Sequence, residues 1–246
     1  MVTEKIVLIT GAGSGLGREL SKVFIERGYI VVGTGRSVDR LKETQSLIST
    51  PGNFHYFEMD VAVFSSVEKV VKEVRSKYGS IELLINNAAT YDKENFINET
   101  AETFAKSIET NVVGTANCCK AVLPNMIASN NGTIINVGSW AHKRPIVNSA
   151  SYSASKAAVH SLTKAIAEDL QVSSSNVKII EWIPGHMNTQ MSDFTGTAPS
   201  IFAAWCSDII VKTDFSGNHA IFEGNAQWHE PLSMKQKIKA KLKFRM

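Results

Sequence analysis

The chain has 246 residues, of which 43% are hydrophobic and 20% charged. This balance suits a soluble globular protein and excludes a disordered, fibrous or disulfide-stapled class. The formal charge of +3 is uneven, because six cations and no acid fall between Lys235 and Met246. The rest of the chain is mildly acidic, so nucleic-acid binding is not expected.

Taken in chain order, short apolar runs alternate with helical stripes. Residues 5–10 read as a strand ending at a glycine cluster. Leu16, Leu20, Val23 and Phe24 then share one helical face. A strand is predicted at 29–33, a short helix at 41–48 and a third strand at 54–59. Val67, Val70, Val71, Val74 and Tyr78 mark the next helix, followed by a strand at 81–86. A long helical stretch covers 101–127, then a strand 133–137, a helix 152–170 and a strand 178–183. A helix at 200–211 and a strand at 219–222 close the pattern. Strands apolar on both faces belong in a parallel sheet covered by helices. The expectation is one doubly wound α/β domain over residues 1–231, with a basic tail at 232–246. The opening residues hold too short an apolar run for a signal segment, and no run reaches about 18 residues, so a cytoplasmic location is expected.

The segment Thr10-Gly11-Ala12-Gly13-Ser14-Gly15-Leu16-Gly17 lies between a predicted strand and a predicted helix. Glycines there allow a tight turn and close approach of a phosphate, and the helix N-terminus offers free N–H groups to a pyrophosphate. The second strand bears on which dinucleotide binds. An NAD site usually carries an acid there for the ribose 2′-hydroxyl. Here the strand runs into Arg36-Ser37, with no acid before Asp39. A guanidinium pairs well with a 2′-phosphate, so NADP(H) is expected over NAD. The bland alternative makes Arg36 a solvated loop cation and the site indifferent.

Tyr152 and Lys156 stand at i and i+4 on one helix face. A free tyrosine titrates near 10, and a close ammonium favours its phenolate, making a usable acid/base. Ser139 follows the fifth strand, where its hydroxyl suits a developing oxyanion. Asn111 sits inside the long helix, where an amide at a locally irregular turn could hold a water.

These residues resemble the short-chain dehydrogenase/reductase family. Its Thr-Gly-x-x-x-Gly-x-Gly is similar to Thr10, Gly11, Gly15 and Gly17, and its Tyr-x-x-x-Lys to Tyr152 and Lys156. The resemblance spans about residues 4–191. It implies a catalytic set of Asn111, Ser139, Tyr152 and Lys156. Tyr152 would exchange a proton with the substrate oxygen, and Lys156 would lower the tyrosine pKa and hold the nicotinamide ribose. Ser139 would orient the substrate oxygen, and Asn111 would position a water. It also implies a dinucleotide site of Gly11, Gly13, Ser14, Gly15, Leu16, Gly17, Arg36, Ser37, Asp60, Val61, Asn87, Ala88, Pro184, Gly185 and Thr189, together with Tyr152 and Lys156. Asp60 would contact adenine; Pro184, Gly185 and Thr189 would lie near the nicotinamide carboxamide. A homodimer or homotetramer and a carbonyl or alcohol substrate, small or carrier-linked, complete the expectation.

Three departures stand out. The family's Asn-Asn-Ala-Gly is Asn86-Asn87-Ala88-Ala89 here, and a methyl at Ala89 needs a compatible backbone angle. The lid segment 190–199 is short and polar, which suggests an open cleft and a bulky substrate. The usual Asp-Gly-Gly-like ending is replaced by Glu223-Gly224-Asn225. The histidines show no metal-ligand spacing, so no metal is expected; His142, His186 and Trp140 are candidate cleft residues. Cys118, Cys119 and Cys206 read as packed thiols. The tail alternates cations with Ile238, Leu242 and Phe244, so weak contact with an anionic membrane is a secondary expectation. Two rival readings are a nucleotide-sugar or glycan-pathway reductase held near a membrane, and a dinucleotide sensor without turnover. The complete set of Asn111, Ser139, Tyr152 and Lys156 argues against the sensor.

Overall fold

The computed structural model describes residues 5–173, 175–212 and 217–228. The basic tail, and with it the boundary at residue 231, lies outside the described residues.

Eight strands form one sheet: β1 (Ile6–Thr10), β2 (Ile30–Gly35), β3 (Phe54–Glu58), β4 (Ile81–Asn86), β5 (Thr133–Val137), β6 (Lys178–Ile183), β7 (His219–Glu223) and β8 (Ala226–Trp228). Their order is β3-β2-β1-β4-β5-β6-β7-β8. The first seven run parallel, as the sequence predicts. β8 is antiparallel to β7, with Glu223 opposite Ala226. The sequence reading did not include it. Its signal is the two-residue Gly224-Asn225 link, a hairpin turn in which Gly224 takes φ +63°.

The helices are α1 (Gly15–Glu26), α2 (Val38–Ser46), α3 (Phe64–Lys77), α4 (Ala101–Ile108), α5 (Gly114–Ser129), α6 (Ala150–Val172) and α7 (Pro199–Lys212). Their apolar faces divide the core in two. Leu16, Leu20 and Phe24 of α1 pack with Phe202, Ala203 and Cys206 of α7 on one face of the sheet. Val67, Val70, Val71 and Val74 of α3 pack with Cys118, Cys119 and Val122 of α5 on the other. Each fully buried valine or leucine contributes roughly 1.5–3 kcal/mol relative to exposure. All three cysteines are free and buried, and burial pushes the Cys119 thiol up to about 12. They are packing groups, as expected.

The long helix of the sequence reading is interrupted. Residues Glu109–Val113 form a π turn between α4 and α5. Such a bulge widens the helix by one residue and frees main-chain groups, and here it falls at Asn111. Every active-site loop leaves the C-terminal edge of a parallel strand, where ligands of doubly wound sheets bind.

Candidate active site

The loops after β1 and β4 are stitched together by Thr10. Its Oγ1 accepts from Asn87 N and Ala88 N, each at 3.0 Å, and lies 3.4 Å from Ile85 O. Asn87 Nδ2 donates to Thr10 O at 2.9 Å and Gly11 O at 3.3 Å. Two peptide N–H groups therefore depend on one buried hydroxyl. Thr10→Val keeps the shape but strands both, and we expect a loss of about 2–4 kcal/mol in a urea-unfolding measurement. A variant as stable as wild type would show that water replaces the hydroxyl.

The glycine turn is shaped by contact as well as by dihedral angle. Gly11 has φ +70° and Gly15 φ +51°. A Cβ on Gly17 would stand 2.2 Å from Gly11 O, and one on Gly13 would stand 2.9 Å from Arg40 Cβ. Ser14 caps α1 without a side-chain hydrogen bond, and the first turn of α1 holds no acid. Its leading N–H groups thus have no side-chain acceptor, which suits a pyrophosphate. Leu16 is turned into the core. Thr189 lies across from this helix start, with its Cγ2 3.3 Å from a Cβ built on Gly15. Pro184 is buried and Gly185, at φ +115°, redirects the chain toward Thr189.

Arg36 is exposed at the end of β2. Ser37 is the N-cap of α2, where its hydroxyl accepts from Arg40 N. Arg40 adds a second cation beside the glycine turn that the sequence reading did not single out. Asp60 lies beyond β3; its Oδ1 accepts from Ala62 N at 3.0 Å. Val61 is buried against Gly114, and Asn117 Nδ2 donates to its carbonyl at 2.9 Å. These residues, the glycine turn and the Asn87-Ala88 loop follow the neighbouring strands β2, β3, β1 and β4, and a nicotinamide dinucleotide fits their chemistry. Ala89 has no positive φ, so its methyl is accommodated without strain.

Three of the catalytic candidates, Ser139, Tyr152 and Lys156, come together. Tyr152 and Lys156 lie in α6, with the Lys156 Nζ 5.7 Å from the Tyr152 ring centroid. Lys156 is 5% exposed, and its Nζ donates to Val137 O at 2.8 Å. Burial lowers its pKa to about 8, opposed by the charge of Glu181. Burial also raises the Tyr152 pKa, a hydrogen bond with the Ser139 side chain lowers it, and Tyr91 raises it. Tyr91 stacks on the Tyr152 ring with centroids 4.6 Å apart, another partner absent from the sequence reading.

Asn111 is buried at the π turn and fully engaged. Its Oδ1 accepts from Thr90 N at 2.8 Å, and its Nδ2 donates to Thr90 O at 3.0 Å and Ser155 Oγ at 2.9 Å. The side chain thus ties the loop after β4 to the turn before Lys156 rather than presenting a free amide.

His142 is held by its neighbours. Its Nδ1 sits 2.5 Å from Ser139 O, and its ring stacks on His160 with centroids 4.7 Å apart and planes at 16°. His160 Nδ1 in turn meets Glu181 Oε2 at 2.5 Å. Sequence spacing did not reveal this trio, although its ligand atoms lie within 4.8 Å of one another. Near-parallel imidazoles aim their lone pairs side by side, so the two rings cannot share one tetrahedral ion as they stand. His186 is exposed and meets Thr195 Oγ1 at 2.9 Å, and Trp140 is half-exposed with Lys143 5.4 Å over its ring. The lid is a compact turn, with Met187 bridged to Thr197 and Lys93 paired to Asp193 at 2.5 Å.

Sheet order, glycine turn and the Ser139, Tyr152 and Lys156 cluster together define a dinucleotide-type oxidoreductase fold. The profile of the family described as short chain dehydrogenase matches residues 5–199. The chain belongs to that family. It is 33% identical over 206 residues to the NADPH-dependent pterin aldehyde reductase of Arabidopsis thaliana, covering 83% of this chain and 84% of the relative. It is 30% identical over 194 residues to an uncharacterized oxidoreductase of Staphylococcus epidermidis, covering 79% and 83%. Among solved structures, the closed form of serine dehydrogenase complexed with NADP+ superposes with TM-score 0.80 at 26% identity, covering 88% of this chain and 94% of that one. No helix among the described residues is long and apolar enough to cross a membrane.

Proposed function

We propose that the protein is an NADPH-dependent reductase of carbonyl compounds, with Tyr152 as the proton donor. The observation that carries this reading is the Tyr152 phenol hydrogen-bonded to the Ser139 side chain, with the buried Lys156 Nζ 5.7 Å from the tyrosine ring, in a chain whose glycine turn is ready for an anion. When bound, NADPH supplies the hydride. The chain's own residues do the rest. Gly11, Gly13, Gly15 and Gly17 would let a pyrophosphate approach the backbone, and the start of α1 would receive its charge. Asp60, Val61, Asn87 and Ala88 would hold the adenosine and nicotinamide halves, together with Pro184, Gly185 and Thr189. Ser139 orients the substrate oxygen, and Tyr152 delivers a proton to it as negative charge develops. Lys156 favours the phenolate left behind. Asn111 fixes the π turn that holds the α6 face in register.

The NADPH dependence of one relative and the NADP+ in one structural neighbour support the choice of cofactor. Loss of NADPH absorbance against a panel of aldehydes and ketones tests the activity. A protein that binds NADPH and reduces none of them would be the sensor instead. Arg36→Asp tests the cofactor: it should weaken NADPH binding by roughly 2–4 kcal/mol, and NADH binding less. If the wild type already binds NADH more tightly than NADPH, the reading of Arg36 is wrong.

A further inference from the structure

We propose that Glu181 is a positioning residue for the catalytic pair: its buried carboxylate, clamped by His160, is the counter-charge that keeps Lys156 an ammonium. The inference rests on the assignment of Tyr152 and Lys156 above.

Glu181 stands in the middle of β6 among Ile179, Ile180, Trp182 and Ile183, all nearly inaccessible, and is itself 0% exposed. A carboxylate in such a strand costs free energy that an apolar residue would not, so its presence calls for a compensating charge. One oxygen, Oε2, meets His160 Nδ1. The other, Oε1, is buried and has no hydrogen-bond partner among the described residues. Gly138 leaves room for it, since a Cβ there would stand 2.6 Å from Oε1. Lys156 Nζ donates to the carbonyl of Val137, the neighbouring residue. Ammonium and carboxylate therefore both converge on the Val137-Gly138 peptide that carries Ser139.

The other titratable groups around Glu181 do not take over this role. From α6 His160 touches it and Lys156 feels its charge, and His142 of the loop after β5 stacks on His160. On the far side Lys143 is drawn to Glu223 at 3.6 Å. Tyr152 and Tyr91 lie above Lys156, stacked on each other. Glu181 is thus the carboxylate whose field acts on the ammonium, against the burial that favours the neutral amine. Lys156 loses its proton as pH rises, so losing the Glu181 charge moves that loss to lower pH. The His160 clamp keeps the carboxylate from turning away, and the His142 contact with Ser139 O ties the same cluster to the backbone of the substrate-orienting serine.

The direct measurement is an NMR titration of protein labelled with ¹³Cε-lysine. Lys156→Met identifies the Lys156 signal by its disappearance. In wild type that signal should titrate near 8, below the ordinary lysine value. Glu181→Gln keeps the volume and removes the charge; it should lower the Lys156 midpoint by about one pH unit. Glu181→Asp, which restores the charge, should recover part of the shift. An unmoved midpoint in the folded Gln variant overturns the proposal. If Gln does not fold, the Asp variant decides: a midpoint lowered by a fraction of a pH unit supports the proposal, and an unmoved midpoint overturns it. This readout needs no substrate, so it stands apart from failure of the functional reading. With NADPH and 4-nitrobenzaldehyde as probe, the alkaline limb of the reduction profile should move down by the same amount. At pH 6 the rate should stay within about threefold of wild type. A uniform fall at every pH, with the limb unmoved, would mark a purely structural role.

Discussion

Replacing Tyr152 by Phe should lower carbonyl reduction by at least about 10²-fold. The phenyl ring still stacks on Tyr91 and still fills the same face of α6, so the change removes one oxygen and little else. What is lost is the proton donor and the group with which the Ser139 hydroxyl is paired. NADPH affinity, measured by fluorescence titration, should change little. Turnover close to that of wild type would remove Tyr152 from the mechanism and leave the proton to water.

Gly17→Ala should be the most damaging single methyl in the cofactor half. Its Cβ would fall 2.2 Å from Gly11 O, 2.8 Å from Gly11 C and 2.7 Å from Asn87 Nδ2. The first two atoms are backbone, so no rotamer change relieves the conflict. Either α1 shifts along the sheet or the glycine turn opens. We expect destabilisation of about 1–3 kcal/mol and NADPH affinity at least about tenfold weaker. Gly35→Ala is the control, because its added methyl would meet only Leu41 Cδ2 at 3.9 Å. A Gly17 variant that melts and binds like the control would show the turn to be slack.

Local spacing accounts for what the sequence disclosed. The glycine turn, the i, i+4 pair of Tyr152 and Lys156, and the parallel strands all declare themselves within a few residues. The irregular turn at Asn111 was also legible, though not that its amide would be consumed by Thr90 and Ser155. The missed features are of another kind. Glu181 is 21 residues from His160, and only the crossing of β6 under α6 brings them together. Tyr91 reaches Tyr152 because β4 and β5 are neighbours in the sheet, and Arg40 reaches Gly13 because α2 folds back over the glycine turn. Periodicity cannot report such meetings. β8 differs: its Gly224-Asn225 hairpin signal was local and readable, but the segment was seen only as a departure from the family's usual ending.

The Thr10 hydroxyl has a consequence for how long the protein lasts. It joins β1 to the loop after β4, whose residues are 77 and 78 positions later in the chain. The first β-α-β unit can therefore emerge from the ribosome with its glycine turn formed and still lack one wall of its cleft. That wall arrives only when β4 inserts beside β1. A dinucleotide held by residues on both sides of the join would act as a removable staple between early and late parts of the chain. Bound at a hundred times its dissociation constant, it would add about 2.7 kcal/mol against unfolding. The lifetime of the protein under proteolysis would then follow the supply of reduced cofactor, with the molecules outliving their neighbours when NADPH is plentiful and being cleared first when it runs short.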